Sequence, residues 1–188
     1  MQRYFVEKII ENQNITISND DYYHITKVMR MKQGDNVYVC DGNISVVASI
    51  IEITKNEVIL EIKEKLNEKK ELPVSVTIAH GIIRKVSALG ASIYQPVEME
   101  RCNAKFHDDK LDKKMIRLNK IAKEACEQSH RTALLKVLNP ISFKNFLKES
   151  SKYDLLLVAY ENTNPEETLK KVLQNNKYNS ICTYAYIR

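Results

Sequence analysis

The stretch NEKKELPVSVTIA, residues 67–79, divides the chain into two parts of different character. It opens with five polar residues in a row, and Pro73 follows shortly after them, which is typical of a linker between domains. The rest of the stretch is almost continuously apolar, as expected of a strand that is buried on both faces of a parallel sheet. We therefore predict a domain boundary near residue 72, with one domain at residues 1–71 and a second at residues 72–188.

The N-terminal part alternates short apolar runs with turn residues, which predicts a small β-barrel or meander. Strands are expected at residues 15–17, 37–40 and 44–53, and from residue 58 onward. One helix is expected between the first two of these strands. It would begin at Ser18, which has capping-box spacing to Asp21, and would end at about Arg30.

The C-terminal part combines apolar runs with amphipathic segments, which predicts an α/β domain with a mostly parallel sheet. Residues 155–159 form a second apolar run and are also expected to be a strand that is buried on both faces. Helices are predicted at residues 112–129, 142–149 and 165–174. The chain as a whole is predicted to be a two-domain α+β protein.

The connection from Gly81 to Ala91 is short for a parallel sheet. If residues 74–80 and 92–97 are parallel neighbours, only eleven residues join them. A crossover of this kind normally takes about a dozen residues or more and usually contains a helix. We therefore expect an α/β domain that has lost most of one crossover helix.

Composition argues against several classes of protein. No run approaches the roughly 20 apolar residues of a membrane-spanning helix, and the N-terminus has no apolar signal core. The four cysteines lie far apart without a C-x-x-C pair, which favours buried, reduced thiols over disulfides or a zinc site. We expect a cytoplasmic protein with no membrane partner and no metal.

Positive charge is concentrated in the middle of the chain. Residues 84–148 carry 14 Lys and Arg against 7 Asp and Glu, whereas residues 1–83 carry 10 against 12 and residues 149–188 carry 5 against 5. A single lysine in the middle block is most simply a solvated side chain. A twofold excess of cations over this length favours a surface that binds the phosphates of a nucleic acid.

The helix expected from residue 112 to about residue 131 has two distinguishable faces. An apolar stripe is predicted to be buried and consists of Leu111, Met115, Leu118, Ala122 and Ala125. A polar face consists of Arg117, Glu124, Gln128 and Arg131. The polar face is either an exposed surface with intrahelical ion pairs, or a site where the arginines bind phosphate while the carboxylate and the amide orient them or read a base edge.

Several motifs together resemble the RsmE-type ribosomal RNA methyltransferases, which methylate N3 of a uridine in small-subunit ribosomal RNA. The most distinctive are RMKQGD at residues 30–35 and EACEQSHR at residues 124–131. The others are MQRYFV at 1–6, VCDG at 39–42, LPV at 72–74, LGAS at 89–92 and the segment 155–161. The likeness covers most of the chain in the order of the family.

This resemblance implies a PUA-like RNA-binding β-barrel joined to a SPOUT-type domain, a knotted α/β fold that binds S-adenosyl-L-methionine and works as a homodimer. The implied substrate is 16S rRNA or the small ribosomal subunit. By the same likeness, Arg3, Arg30 and Lys32 would contact RNA. Arg117 is added to these RNA contacts because it lies on the polar face of the helix. The catalytic cleft would be lined by Glu124, Gln128 and Arg131. The first loop on the methyl-donor side would be Ala159, Tyr160 and Glu161.

The sequence departs from the family pattern at two places, so the SPOUT-type domain is expected to be incomplete. The crossover 81–91 stands where the family has a full helix, and the sequence ends at Arg188 where the family continues into G-P-E-G-G and L-G-x-x-I-L-R-x-E-T motifs. Three hypotheses stay open: an active methyltransferase, an RNA-binding remnant without a donor pocket, and a marginally folded fragment. The first needs a cation near the uracil anion, for which Arg131 and Arg3 are the candidates.

Overall fold

The computed structural model describes residues 1–68, 70–80, 90–98, 108–159, 168–174 and 177–185. Contacts between Cα atoms group the chain into two compact units. The first consists of Met1–Glu71 with Lys123–Leu134, and the second consists of Leu72–Ala122 with Leu135–Arg188. The grouping differs from the predicted domains in one segment, because Lys123–Leu134 belongs to the first unit.

The first unit contains a five-stranded sheet with the strand order β1-β3-β4-β5-β2. The strands are β1 (Arg3–Phe5), β2 (Ile15–Ser18), β3 (Asn36–Cys40), β4 (Ser45–Ile53) and β5 (Glu57–Leu66). Strand β1 pairs with β3 in parallel, and the other three pairings are antiparallel. The strands predicted in this part of the chain are confirmed, with ends that differ by one residue.

Alternation of apolar and polar side chains explains the core of this unit. Along β2, Ile15 and Ile17 are buried while Thr16 is exposed, as period-two patterning requires of a sheet with one covered face. The core continues through the central strands with Val37, Val39, Val46, Ala48, Ile50, Val58 and Leu60.

The segment from Ser18 to Arg30 was predicted to be one α-helix, and this prediction is wrong. Helix α1 (Asn19–Tyr23) is followed directly by a π-helical turn (His24–Val28), in which the N–H of Met29 donates to the carbonyl of His24 at 2.8 Å. Ser18 makes no side-chain capping bond. The predicted capping box is therefore absent from the structure, and the Asp21 carboxylate instead binds Lys123.

The second unit contains a parallel sheet with the strand order β10-β11-β6-β7-β8, and β9 also pairs with β7. The strands are β6 (Ser75–His80), β7 (Ile93–Glu98), β8 (Lys136–Val137), β9 (Ile141–Ser142), β10 (Leu155–Ala159) and β11 (Ser180–Ala185). Strands β6 and β7 are parallel neighbours, which is the condition on which the expectation of a short crossover rested. The short crossover falls mostly on residues 81–89, which lie outside the described residues.

Strand β10 is half-buried at its first three residues and exposed at its last two, so the prediction that it is buried on both faces is wrong. It pairs only with β11 in the described sheet, and Val158 is 55% exposed. A continuous apolar run does not reveal whether a strand lies at the centre or at the edge of a sheet, because both positions allow the same side chains.

The second unit combines this sheet with helices, which confirms the α/β prediction. The helices are α2 (Asp108–Gln128), whose residues from Lys123 onward belong to the first unit, α3 (Phe143–Glu149) and α4 (Leu169–Gln174). Helix α3 begins after Ser142, whose hydroxyl accepts from the N–H of Asn145 at 3.2 Å. Phe146 of this helix packs against Tyr184 with ring centroids 5.4 Å apart.

The apolar stripe of α2 is confirmed in its centre. Leu118 and Ala122 are buried, but Ala125 is only half-buried and Cys126 takes the next core position. Among the described cysteines, Cys40, Cys126 and Cys182 are all buried free thiols, as predicted. No helix in the described part of the chain combines the length and apolar character of a membrane span.

Candidate functional site

Helix α2 ends before Arg131 in a Schellman motif. The N–H of Arg131 donates to the carbonyl of Cys126 at 3.0 Å, and that of His130 donates to Glu127 at 3.2 Å. His130 has φ +53°, the left-handed conformation that such a motif requires. The chain therefore turns away from the helix axis, so Arg131 does not share the polar face on which the sequence placed it.

Arg131 is buried in an ion pair with Glu71. The Arg131 Nε donates to Glu71 Oε2 at 3.1 Å, and Nη2 contacts the same oxygen. Glu71 Oε1 also accepts from the backbone N–H groups of Thr132 and Ala133, each at 3.0 Å. Burial alone would raise the pKa of Glu71, but the bonds from Arg131 and the two N–H groups outweigh it, so the pKa lies below its usual value.

Arg3 lies beside this pair and does not present its charge to solvent. Its side chain is 0% exposed. Its Nη1 donates to the carbonyl of Arg131 at 3.0 Å, its Nη2 donates to Glu68 Oε2 at 3.0 Å, and its guanidinium lies 5.1 Å from the ring centroid of Tyr38. The prediction that Arg3 contacts RNA needs an exposed guanidinium, and the structure uses Arg3 to hold the end of the EACEQSHR motif instead.

A second group of charges surrounds the C-terminal half of α2. Lys123 Nζ lies 2.5 Å from Asp21 Oδ2 and 3.6 Å from Glu127 Oε1. Burial raises the pKa of Glu127 to about 7; Lys123 opposes the shift, while Asp21 and Glu124 add to it. This cluster was not predicted from the sequence, although Lys123 and Glu127 have the spacing of an ion pair within a helix.

Tyr4 and His24 extend the buried polar network of the first unit. The Tyr4 hydroxyl lies 3.0 Å from His24 Nδ1. The pKa of Tyr4 is raised well above its usual value, chiefly because the phenol is buried and also because Asp21 and Glu127 are negative. These two side chains connect strand β1 to the π-helical turn.

The remaining predicted site residues of the first unit are exposed. Glu124 and Gln128 lie one turn apart on α2, and Arg30 and Lys32 follow the π-helical turn. Arg30 has φ +52°, a conformation that costs a residue other than glycine about 1–2 kcal/mol and is often found at functional sites. These four side chains are accessible to a large ligand.

The candidate donor side lies at the carboxyl ends of the parallel strands of the second unit. Register places Ala159, Ala185, His80 and Pro96 in one row across four adjacent strands. Ligands of open parallel sheets bind outside such strand ends. Arg117 is exposed on α2, whereas Tyr160 and Glu161 lie outside the described residues.

Comparison with known proteins assigns both parts of the chain. A family model for an RNA methyltransferase domain matches residues 73–184, and one for an RNA methyltransferase PUA domain matches residues 17–63. The ribosomal RNA small subunit methyltransferase E of Bacillus subtilis (strain 168) is 36% identical over 181 residues, which is 88% of this chain and 70% of the relative. The chain belongs to the RsmE-type RNA methyltransferase family.

Other RsmE-type proteins agree with this assignment. The enzyme of the same name from Synechocystis is 31% identical over 76% of this chain and 48% of the relative. The crystal structure of the Neisseria gonorrhoeae enzyme, bound to S-adenosyl methionine, superposes with a TM-score of 0.82 at 21% identity and covers 98% of this chain and 80% of that one. The predicted fold, a PUA-like domain followed by a SPOUT-type α/β domain, is thereby confirmed.

Proposed function

We propose that the chain transfers a methyl group from S-adenosyl-L-methionine to small-subunit ribosomal RNA. The likeness to the Bacillus subtilis enzyme over 88% of this chain carries the proposal. Within the family the methylated atom is N3 of a uridine, and we extend that specificity to this chain. The RNA partner would be 16S rRNA or the small subunit in the cytoplasm, and the acting form would be a homodimer.

We place the methyl donor at the carboxyl ends of the parallel strands, where the register aligns Ala159, Ala185 and His80. The two alanines carry only a methyl side chain, and His80 is buried. S-adenosyl-L-methionine would supply an activated methyl group on a sulfonium. We assign Ala159, Tyr160 and Glu161 to its binding, as the family resemblance implies.

Methylation at N3 requires that nitrogen to lose its proton. The N3 lone pair then forms the new bond to the methyl carbon while the carbon–sulfur bond breaks, and the proton leaves to a base or to water. A preorganised cation or hydrogen-bond donor that stabilises the uracil anion lowers the barrier. Gln128 offers an exposed amide donor, and Glu124 offers an exposed carboxylate one turn away on α2, which supports their assignment to the catalytic cleft.

Arg131 is assigned to the same cleft as a supporting residue, because its guanidinium is buried and paired with Glu71. Arg30, Lys32 and Arg117 are assigned to RNA phosphates because their side chains are exposed. Arg3 is assigned to the support of Arg131 and not to RNA, because it is buried.

A transfer assay tests the proposal. The purified chain is incubated with unmodified small ribosomal subunits and S-adenosyl-L-methionine that carries a tritiated methyl group, and the RNA is digested to nucleosides. We expect tritium in N3-methyluridine. Absence of tritium from the RNA, together with no heat of binding for the donor at millimolar concentration, would refute the enzyme hypothesis. Salt-dependent RNA binding in that case would support the alternative, an RNA-binding protein without methyl transfer.

A further inference from the structure

Two adjacent tyrosines of α1 differ in their exposure to solvent. Tyr22 packs against the core of the first unit, and its hydroxyl donates to the carbonyl of Thr54 at 3.2 Å. Tyr23 is 61% exposed. Val28 and Met29 are exposed as well, so three exposed apolar side chains lie within seven residues. An apolar surface of this kind on a rigid element is typical of a binding site.

The backbone around Tyr23 is anchored by a buried side chain and by hydrogen bonds. Ile25 is fully buried, and the N–H of Met31 donates to its carbonyl at 3.0 Å. The Thr26 hydroxyl donates to the carbonyl of Tyr22 at 2.8 Å, and His24 Nδ1 lies 3.0 Å from the Tyr4 hydroxyl. The π-helical turn, a feature that recurs at functional sites, therefore fixes the backbone on both sides of Tyr23.

The charged residues near Tyr23 indicate what kind of partner this surface binds. Lys27 follows Tyr23 by about one turn, and Arg30 and Lys32 come next; all three are exposed. Residues 22–34 contain no Asp or Glu. An aromatic ring beside several cations suits an unpaired nucleotide, whose base stacks on the ring while its phosphates meet the cations. A base within a duplex is already stacked on both faces and has no face to offer.

We infer that Tyr23 is a stacking platform for an unpaired base of the RNA, and that Lys27, Arg30 and Lys32 bind the adjacent phosphates. The inference rests on the proposed RNA substrate and adds to it a preference for a single-stranded segment. A protein partner of acidic character is the competing occupant, and it becomes an outcome of the test.

The test measures binding and stacking separately from methyl transfer. Single-stranded RNA labelled with 2-aminopurine reports stacking by loss of fluorescence, and a duplex of the same sequence serves as the comparison. For Tyr23→Ala we expect a loss of about tenfold in affinity for the single strand, no change for the duplex, and no change in the salt slope. Tyr23→Phe keeps the ring and should bind as the wild type does. Lys27→Gln should reduce the salt slope by about one phosphate contact.

The matched control is Leu147→Ala, which removes another exposed apolar side chain, on α3. It should leave RNA binding unchanged. Equal affinity of Tyr23→Ala and wild type for the single strand, or an equal loss for single strand and duplex, would overturn the inference. Capture of an acidic peptide by this surface in preference to RNA would also overturn it. Stacking that depends on Tyr23 without any methyl transfer would refute the proposed reaction alone, and methyl transfer without such stacking would refute this inference alone.

Discussion

Replacing Glu71 by glutamine tests whether this carboxylate holds the end of the EACEQSHR motif. Glu71 accepts from the guanidinium of Arg131, from the backbone N–H groups of Thr132 and Ala133, and from the hydroxyl of Thr132. A glutamine of the same shape loses the charge. It also turns an NH₂ group toward donors that need an acceptor, and leaves the buried Arg131 without its counter-ion.

The size of the effect follows from the burial of the pair. Removing one partner of a buried ion pair costs about 3–5 kcal/mol. Because the Glu71 side chain is 30% exposed, water can replace part of the lost contact. We therefore expect Glu71→Gln to reduce the stability of the first unit by about 2–3 kcal/mol.

Hydrogen exchange followed by mass spectrometry measures this locally. Peptides from residues 123–134 should exchange faster in Glu71→Gln by roughly 30-fold to 150-fold, the factor that corresponds to the expected loss of stability. Glu149→Gln is the control, because it breaks the pair with Lys152, in which both side chains are half exposed. An exposed pair contributes at most about 1 kcal/mol.

The effect of Glu71 should also depend on pH in a defined direction. Its pKa in the folded protein lies below the value of the unfolded chain. The stabilisation is therefore present in full above the unfolded pKa and is lost as the pH falls through the folded one. The difference between wild type and variant should shrink on acidification below about pH 4.5, the ordinary value for glutamate. A variant that exchanges as the wild type does at pH 7 would refute the assigned role.

Two further predictions concern the same unit. Glu127→Gln should stabilise the protein above about pH 7, by on the order of 2 kcal/mol, because the raised pKa means that the folded state prefers the protonated acid. That contribution is present below the unfolded pKa and is lost as the pH rises through about 7. Urea unfolding at pH 5 and pH 8 checks this, and an equal difference at both pH values would contradict it. Arg3→Ala should lower the melting temperature through a loss of about 3 kcal/mol, whereas Arg30→Ala should leave melting unchanged and weaken RNA binding. The reverse pattern would contradict the burial argument.

Local patterning was sufficient to predict the strands and the broad class of the fold. Alternation in residues 15–17 and the apolar run 74–79 were assigned correctly, because side-chain burial follows directly from strand geometry. The edge position of β10 could not be predicted, since it depends on which strands lie beside it. The π-helical turn at His24–Val28 was missed for a similar reason: helical periodicity does not distinguish i+4 from i+5 hydrogen bonding over a single turn.

The polar face of α2 shows where sequence reasoning about the site reaches its limit. Spacing placed Glu124, Gln128 and Arg131 together, and the first two are indeed exposed one turn apart. The left-handed His130 ends the helix, and nothing in the pattern signalled this because glycine is the usual residue at such a position. The family resemblance implied that Arg3 contacts RNA, yet its side chain is buried and pairs with Glu68, which lies 65 positions away in sequence.

The residues of the proposed site differ in whether their side chains are free to contact the reacting base. A uracil anion that approached Arg131 would compete with Glu71, whose carboxylate is fixed by two backbone N–H groups and is not free to withdraw. The amide of Gln128 and the carboxylate of Glu124 are exposed instead. We therefore propose that Arg131 acts on the reaction chiefly through the shape of the segment that follows α2. Direct contact with the reacting base is then expected from Glu124 and Gln128 on the exposed face of the helix.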